Sequence, residues 1–99
     1  MVIVGGTFEI ESDHREQFIA SRMEMMRTSR AEAGCLEYTF AADPLDTRRV
    51  VLYERWQSQA ALDAHLDAMR SGPPRLADPG VISSSIVIYD VSGELPLSR

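Results

Sequence analysis

His65 is the residue whose position asks for an explanation. In the run Ala61-Leu62-Asp63-Ala64-His65-Leu66-Asp67-Ala68-Met69, Leu62, Leu66 and Met69 recur at spacings of four and three, which is the apolar stripe of a helix. His65 falls inside that stripe. An imidazole titrates near working pH, so a histidine at the wall of a ligand cavity can serve as general acid or base. The alternative is a packed core histidine satisfied by one hydrogen bond. Trp56, just ahead of this helix, is either a flat wall for an aromatic ligand or a plug between strand and helix. Tyr38 and Tyr53 place phenols on neighbouring strands, where each could bond a substrate oxygen or be satisfied locally. Thr7, at the same parity as Gly5, could leave room for a ligand on the first strand. Met23 and Met69 are adaptable side chains, suited to lining a pocket or filling a core. Glu54 shares its strand face with Trp56 and reads as the ion-pair partner of an arginine rather than as an acid catalyst.

Other chemistries find little support. Cys35 is the only cysteine, so no internal disulfide forms, and no neighbouring base in sequence activates the thiol. One cysteine and two histidines, His14 and His65, fall short of a structural zinc site, and no metal is expected. Gly5-Gly6 lacks the spacing and the following helix of a dinucleotide-binding turn. No cofactor is expected. The net charge of −5 disfavours nucleic acid and anionic membranes as partners. The opening MVIVGGTFEI has neither the basic flank nor the length of a signal peptide or membrane span, so the expected location is the cytoplasm.

The elements that must position these residues follow from periodicity. Val2 to Ile10 is a β-branched strand. Asp13 and Glu16 have capping-box spacing, opening a long helix to about Ala33 that Gly34 closes, with Phe18, Ile19, Met23 and Met26 on one face. Cys35 to Ala42 alternates, with Leu36, Tyr38 and Phe40 on one side. Asp43-Pro44 turns the chain into a further strand from Arg48 to Gln57. Ser58 caps a second helix to about Arg70, which Ser71-Gly72-Pro73-Pro74 ends. After a loop to Gly80, Val81 to Val91 is the last strand. Residues 1–92 form one domain and 93–99 a tail.

The order βαββαβ is the ferredoxin-like α+β pattern, a four-stranded antiparallel sheet with two helices on one face. Yet Val50 to Tyr53 and Ile86 to Ile88 are apolar at both parities, where a solvated face would alternate. The second sheet face is therefore expected to be buried against another copy, as a homodimer.

Gly34-Cys35-Leu36-x-Tyr38, Asp43-Pro44, Glu54-x-Trp56 and Ala61-Leu62-x-x-His65-Leu66 together resemble the antibiotic biosynthesis monooxygenase family of dimeric α+β barrels. The resemblance implies a sheet-to-sheet dimer and a small-molecule cavity between sheet and helices. It also places His65 near that cavity. Relatives include cofactor-free oxygenases of polyketide and quinol-type aromatics, haem-degrading enzymes, and enzymes acting on signalling sugars. The haem-degrading branch uses an asparagine on strand one, a tryptophan in helix two and a downstream iron-ligating histidine. By element spacing these places hold Thr7, His65 and roughly Arg75, and the chain has no asparagine and no histidine after His65. The signalling-sugar branch often carries a second histidine about a turn after the first, where this chain has Arg70.

The expected function is a cofactor-independent monooxygenase that oxidises a small aromatic, quinol or polyketide-type substrate with O₂. His65 would be the base, and Trp56, Tyr38, Tyr53, Thr7, Met23 and Met69 the substrate-binding residues. Alternatives are an isomerase or other proton-transfer enzyme on a small carbonyl or signalling-sugar compound, and a non-catalytic dimer that binds a small ligand.

Overall fold

The computed structural model describes residues 1–72 and 78–98. Among these residues four strands and three α-helices are formed: β1 (Val2–Ile10), α1 (Arg15–Ser21), α2 (Met23–Arg30), β2 (Cys35–Ala42), β3 (Arg49–Trp56), α3 (Gln59–Ser71) and β4 (Val81–Asp90). The strands make one antiparallel sheet in the order β2-β3-β1-β4. This is the ferredoxin-like arrangement the order of elements predicts. Pro73, Pro74 and Arg75 lie outside the described residues.

The pleat sorts side chains by parity. Val2, Val4, Phe8 and Ile10 of β1, Val50, Leu52, Glu54 and Trp56 of β3, and Tyr38 and Phe40 of β2 share the face that the helices cover. Phe18 of α1, Met26 of α2 and Leu62 of α3 complete this core. Phe8, Phe18 and Phe40 meet with ring centroids 5.2 to 6.0 Å apart, within the range of favourable aromatic pairs. Thr7, Val51, Tyr53, Val87 and Tyr89 point out of the opposite face.

Two expectations about local structure are corrected. The long first helix is split at Arg22, whose backbone N–H bonds to the Ile19 carbonyl while its side chain turns inward. The helix is preceded by a short 3₁₀ turn, Ser12–His14, and Asp13 makes no cap hydrogen bond, so the capping box is not formed. Met23, just past the break, is 43% exposed rather than facing the core. The second correction concerns β2. The register shifts between Cys35 and Glu37, which pair with consecutive residues of β3, so Leu36 is the extra residue of a bulge. Leu36 is accordingly exposed, while Tyr38 and Phe40 remain inward.

The cap of the following helix is as expected: Ser58 Oγ accepts the Ala61 N–H at 3.1 Å and caps α3. Gly34 does not close the first helical stretch, since α2 ends at Arg30 with Ala31 as its C-cap; it lies in the turn before β2, where it takes φ +82°, the left-handed conformation that suits glycine. A Cβ there would lie 2.6 Å from the Ala61 Cβ, so the turn before β2 rests directly on the first turn of α3. The Gln57 N–H bonds to the Gly34 carbonyl at 2.8 Å and ties the same turn to the end of β3.

The helices pack over β2 and β3 and reach little of β4. Ile86 and Ile88, on the helix side of β4, are therefore each 51% exposed. Val87 and Tyr89 on its other side are exposed as well. Among the described residues, no helix is long and apolar enough to cross a membrane.

Candidate active site

A cavity of about 350 Å³ opens between the helix-covered face of the sheet and the helices. Apolar groups dominate it: Val4, Phe8, Leu52, Leu62, Leu66 and Met69 from the core side, Ile86 and Ile88 from β4. Its polar groups are few. They are His65, Glu54 and Tyr38 on one hand, Arg22 and Asp78 on the other, with Ser84 on β4. An apolar pocket with a few convergent polar groups is the form of a small-molecule site.

His65 is carried on the inward stripe of α3 and is only 2% exposed. Its Nδ1 lies 3.0 and 3.2 Å from the two carboxylate oxygens of Glu32. Glu32 stands in the turn between α2 and β2, two residues before Gly34, and Gly34 sets that turn against Ala61, one helical turn ahead of His65. The carboxylate thus fixes Nδ1 as the protonated nitrogen, which makes Nε2 the atom that can take a proton from a ligand. Trp56 stacks on the imidazole with centroids 4.7 Å apart, and the Tyr38 ring lies 5.4 Å from it.

Glu54 departs from its expected role. Among the described residues no arginine pairs with it. Oε1 accepts the Trp56 indole N–H at 2.9 Å, and the carboxyl is 6% exposed. Burial pushes its pKa up, against the opposing pull of the Trp56 hydrogen bond and of nearby His65. The Cys35 thiol is also pushed up, first by burial and then by Glu32 and Glu54, the direction that disfavours the thiolate.

The remaining sequence-predicted residues divide. Tyr38, His65 and Met69 line the cavity together. Trp56 does not reach it: the indole is fully buried beneath His65 and Glu54 and supports both from behind. Thr7 and Tyr53 point out of the opposite sheet face, because odd-numbered β1 residues and their β3 partners share that parity. Val4 and Phe8 are the β1 residues that face the cavity, not Thr7. Met23 lies outside the lining.

Three site residues were missed by the sequence reading: Glu32, Arg22 and Asp78. Arg22 is buried at the break between α1 and α2, with its guanidinium 4.4 Å above the Phe18 ring and Nη2 donating to Asp78 Oδ2 at 2.5 Å. The break itself puts this charge inside, and nothing in local spacing announces it. Among the described residues, Glu11, Asp13 and His14 come close enough to hold a cation, but they sit at the surface and none lines the cavity.

The family profile described as antibiotic biosynthesis monooxygenase matches residues 1–70. An uncharacterized protein of Synechocystis sp. is 31% identical over 97 residues, covering 92% of this chain, and the chain spans 63% of that relative's length. Among solved structures, a candidate antibiotic biosynthesis monooxygenase from Deinococcus radiodurans superposes with a TM-score of 0.78 at 19% identity, covering all of both chains. A protein of Shewanella oneidensis gives 0.75 at 26% identity, covering 89% of this chain and 87% of its own. A haem-degrader of Mycobacterium tuberculosis with two haems in its active site gives 0.73 at 14% identity, covering 97% and 100%.

Proposed function

The chain belongs to the antibiotic biosynthesis monooxygenase family, and from that premise we propose that it oxidises a small aromatic substrate of quinol or polyketide-phenol type with O₂ in the cavity beneath α3. The observation that carries this reading is His65, held at Nδ1 by the Glu32 carboxylate and set into the wall of an apolar cavity.

An electron-rich phenol needs little from such a site. Its O–H proton passes to His65 Nε2, and the Glu32 carboxylate stabilises the imidazolium that results. The substrate anion then gives an electron to O₂, and recombination of the two radicals forms a C–O bond. The apolar walls from Leu62, Leu66, Ile86 and Ile88 keep water from the intermediate. Tyr38 supplies a phenol at the same wall for a substrate oxygen.

The working unit is a homodimer. Val87, Tyr89 and Tyr53 leave an apolar patch on the uncovered sheet face, and the domain is only 20 Å thick along its shortest axis. A second copy on that face would bury it.

The test is oxygen uptake by purified protein across a panel of quinols and acidic phenols. Uptake that depends on His65 supports the reading. A proton-transfer enzyme on a small carbonyl compound is the second reading, favoured by the presence of two acid-base groups, His65 and Glu54, in one cavity. Turnover of such a compound without oxygen consumption would select it.

A further inference from the structure

Glu54 is a buried carboxyl group that the proposed proton abstraction does not use. It stands on β3 between Val4 of β1 and Tyr38 of β2, on the cavity side of the sheet. One oxygen is spoken for, since Oε1 accepts the Trp56 indole N–H. The same indole braces His65 by stacking. Trp56 therefore ties the two acid-base groups of the cavity to one rigid, fully buried support. The outer anchor of each is different in kind. His65 Nδ1 faces the Glu32 carboxylate, whereas Glu54 Oε1 faces the neutral N–H of the Trp56 indole. The titratable groups around Glu54 are His65 from α3, Tyr38 and Cys35 from β2 and Glu32 from the preceding turn. Arg22 and Asp78 line the same cavity, where Arg22 is already paired with Asp78.

We propose that Glu54 is the acid of this site, paired with His65 as its base, and that it protonates the oxygen that leaves when the oxygenated substrate collapses to product. This rests on the oxygenase reading above. Oxygenation of an activated CH₂ group beside a phenol by O₂ gives a hydroperoxide. In its collapse the remaining C–H bond breaks and its proton goes to a base. That electron pair becomes the second bond of the new C=O, the O–O bond breaks, and the departing hydroxide takes the proton of Glu54 to leave as water. The sum is R₂CH₂ plus O₂ giving R₂C=O plus H₂O, and Glu54 recovers its proton from the base or from solvent. The carboxyl lines the cavity with its Oε1 fixed on the indole N–H, and burial raises its pKa in the direction that favours the proton-donating form. The inward parity of Glu54 and its bond to a fully buried tryptophan explain why the carboxyl points at the cavity and not at an arginine.

Two measurements test this on the whole protein. Trp56 is the only tryptophan, so intrinsic fluorescence reports on the group its indole N–H touches. Wild-type protein titrated from acid to neutral pH should show a fluorescence transition above the ordinary glutamate range, and Glu54→Gln should lack it while staying folded, with a melting temperature at neutral pH no lower than wild type. No such transition in wild-type protein overturns the proposal, whatever the protein's activity. The second measurement uses an anthrone-type CH₂ substrate. Glu54→Gln should raise the ratio of hydroperoxide or released H₂O₂ to carbonyl product, per O₂ consumed, about tenfold or more over wild type. An unchanged product ratio overturns the role of Glu54 and leaves the oxygenase reading standing. Absence of oxygen uptake by wild-type protein overturns that reading and the leaving-group step with it.

Discussion

The imidazole of His65 lies against the indole of Trp56, centroids 4.7 Å apart and planes inclined by 36°. With Glu32 on Nδ1, the ring is held on its face and on one edge, so its cavity-facing edge has a defined direction. A histidine held this way should be replaceable without loss of the fold by a side chain of similar size. His65→Gln should fold and assemble as wild type but lose on the order of a hundredfold or more in oxygen uptake with an active quinol or phenol, as for a removed general base. Unchanged turnover, measured beside melting temperature, would make His65 a packing residue.

Gly34 lets the Glu32 turn rest on α3. An alanine there meets a left-handed backbone, at about 1–2 kcal/mol, and a contact 2.6 Å from the Ala61 Cβ. Gly34→Ala should lower stability to urea by more than the backbone cost alone. Ala61→Gly in the same chain should recover the contact part and leave the rest, a coupling that a double-mutant cycle reads directly.

Glu54 sets a pH dependence with a definite sign. Its folded-state pKa is raised, so between the ordinary carboxyl value and the raised one the folded protein holds a proton that the unfolded chain releases. Stability contributed by this group is present below the ordinary value and falls as pH rises through the folded one. Glu54→Gln should flatten that decline in melting temperature and be the more stable protein at neutral pH. A wild-type melting temperature that rises steadily across the same range, with the variant tracking it, would contradict this.

Light scattering should find a dimer at micromolar concentration, since Tyr53, Val87 and Tyr89 expose apolar surface on one face. Tyr89→Arg together with Val87→Asp should shift the protein toward monomer. A wild-type monomer would remove the interface.

Purified protein should carry no haem, flavin or stoichiometric metal, and added haem should bind weakly. The strand-one positions that face the cavity are Val4 and Phe8, neither able to hydrogen-bond a haem ligand, and no histidine follows His65. A tight Soret shift abolished by one substitution would show a ligand this reading lacks.

The fold was legible because its signals are local. The β-branched run of β1 and the Ser58 cap each specify their own backbone, and each is found where the sequence places it. The split at Arg22 and the bulge at Leu36 escaped, since each arises from competition between neighbours for the interior. Arg22 turns inward to a ring and to a carboxylate 56 residues away, which no periodicity encodes. His65 was visible as a polar residue on an apolar stripe. Its partner Glu32 was not, because a glutamate in a turn looks the same whether it meets solvent or an imidazole from another element. Tyr53, by its phenol, and Thr7, by the room beside Gly5, read as site residues in sequence, but only the pairing register decides which parity the helices cover.

The sheet order places β1 between β3 and β4, with Val2 opposite Asp90 and the Val91 N–H bonded to the Met1 carbonyl. During synthesis this sets a timetable. β1, made before its partners, can pair with β3 once the hairpin exists, but its other edge must wait for β4, about 70 residues later in the chain. Ile86 and Ile88 arrive with that final strand, so the cavity gains its fourth wall only when the sheet closes. Pairing across nearly the whole chain is slow to find by random search. Until it happens, β1 offers an unpaired edge, and a nascent chain stalled before β4 would be the form most prone to aggregate.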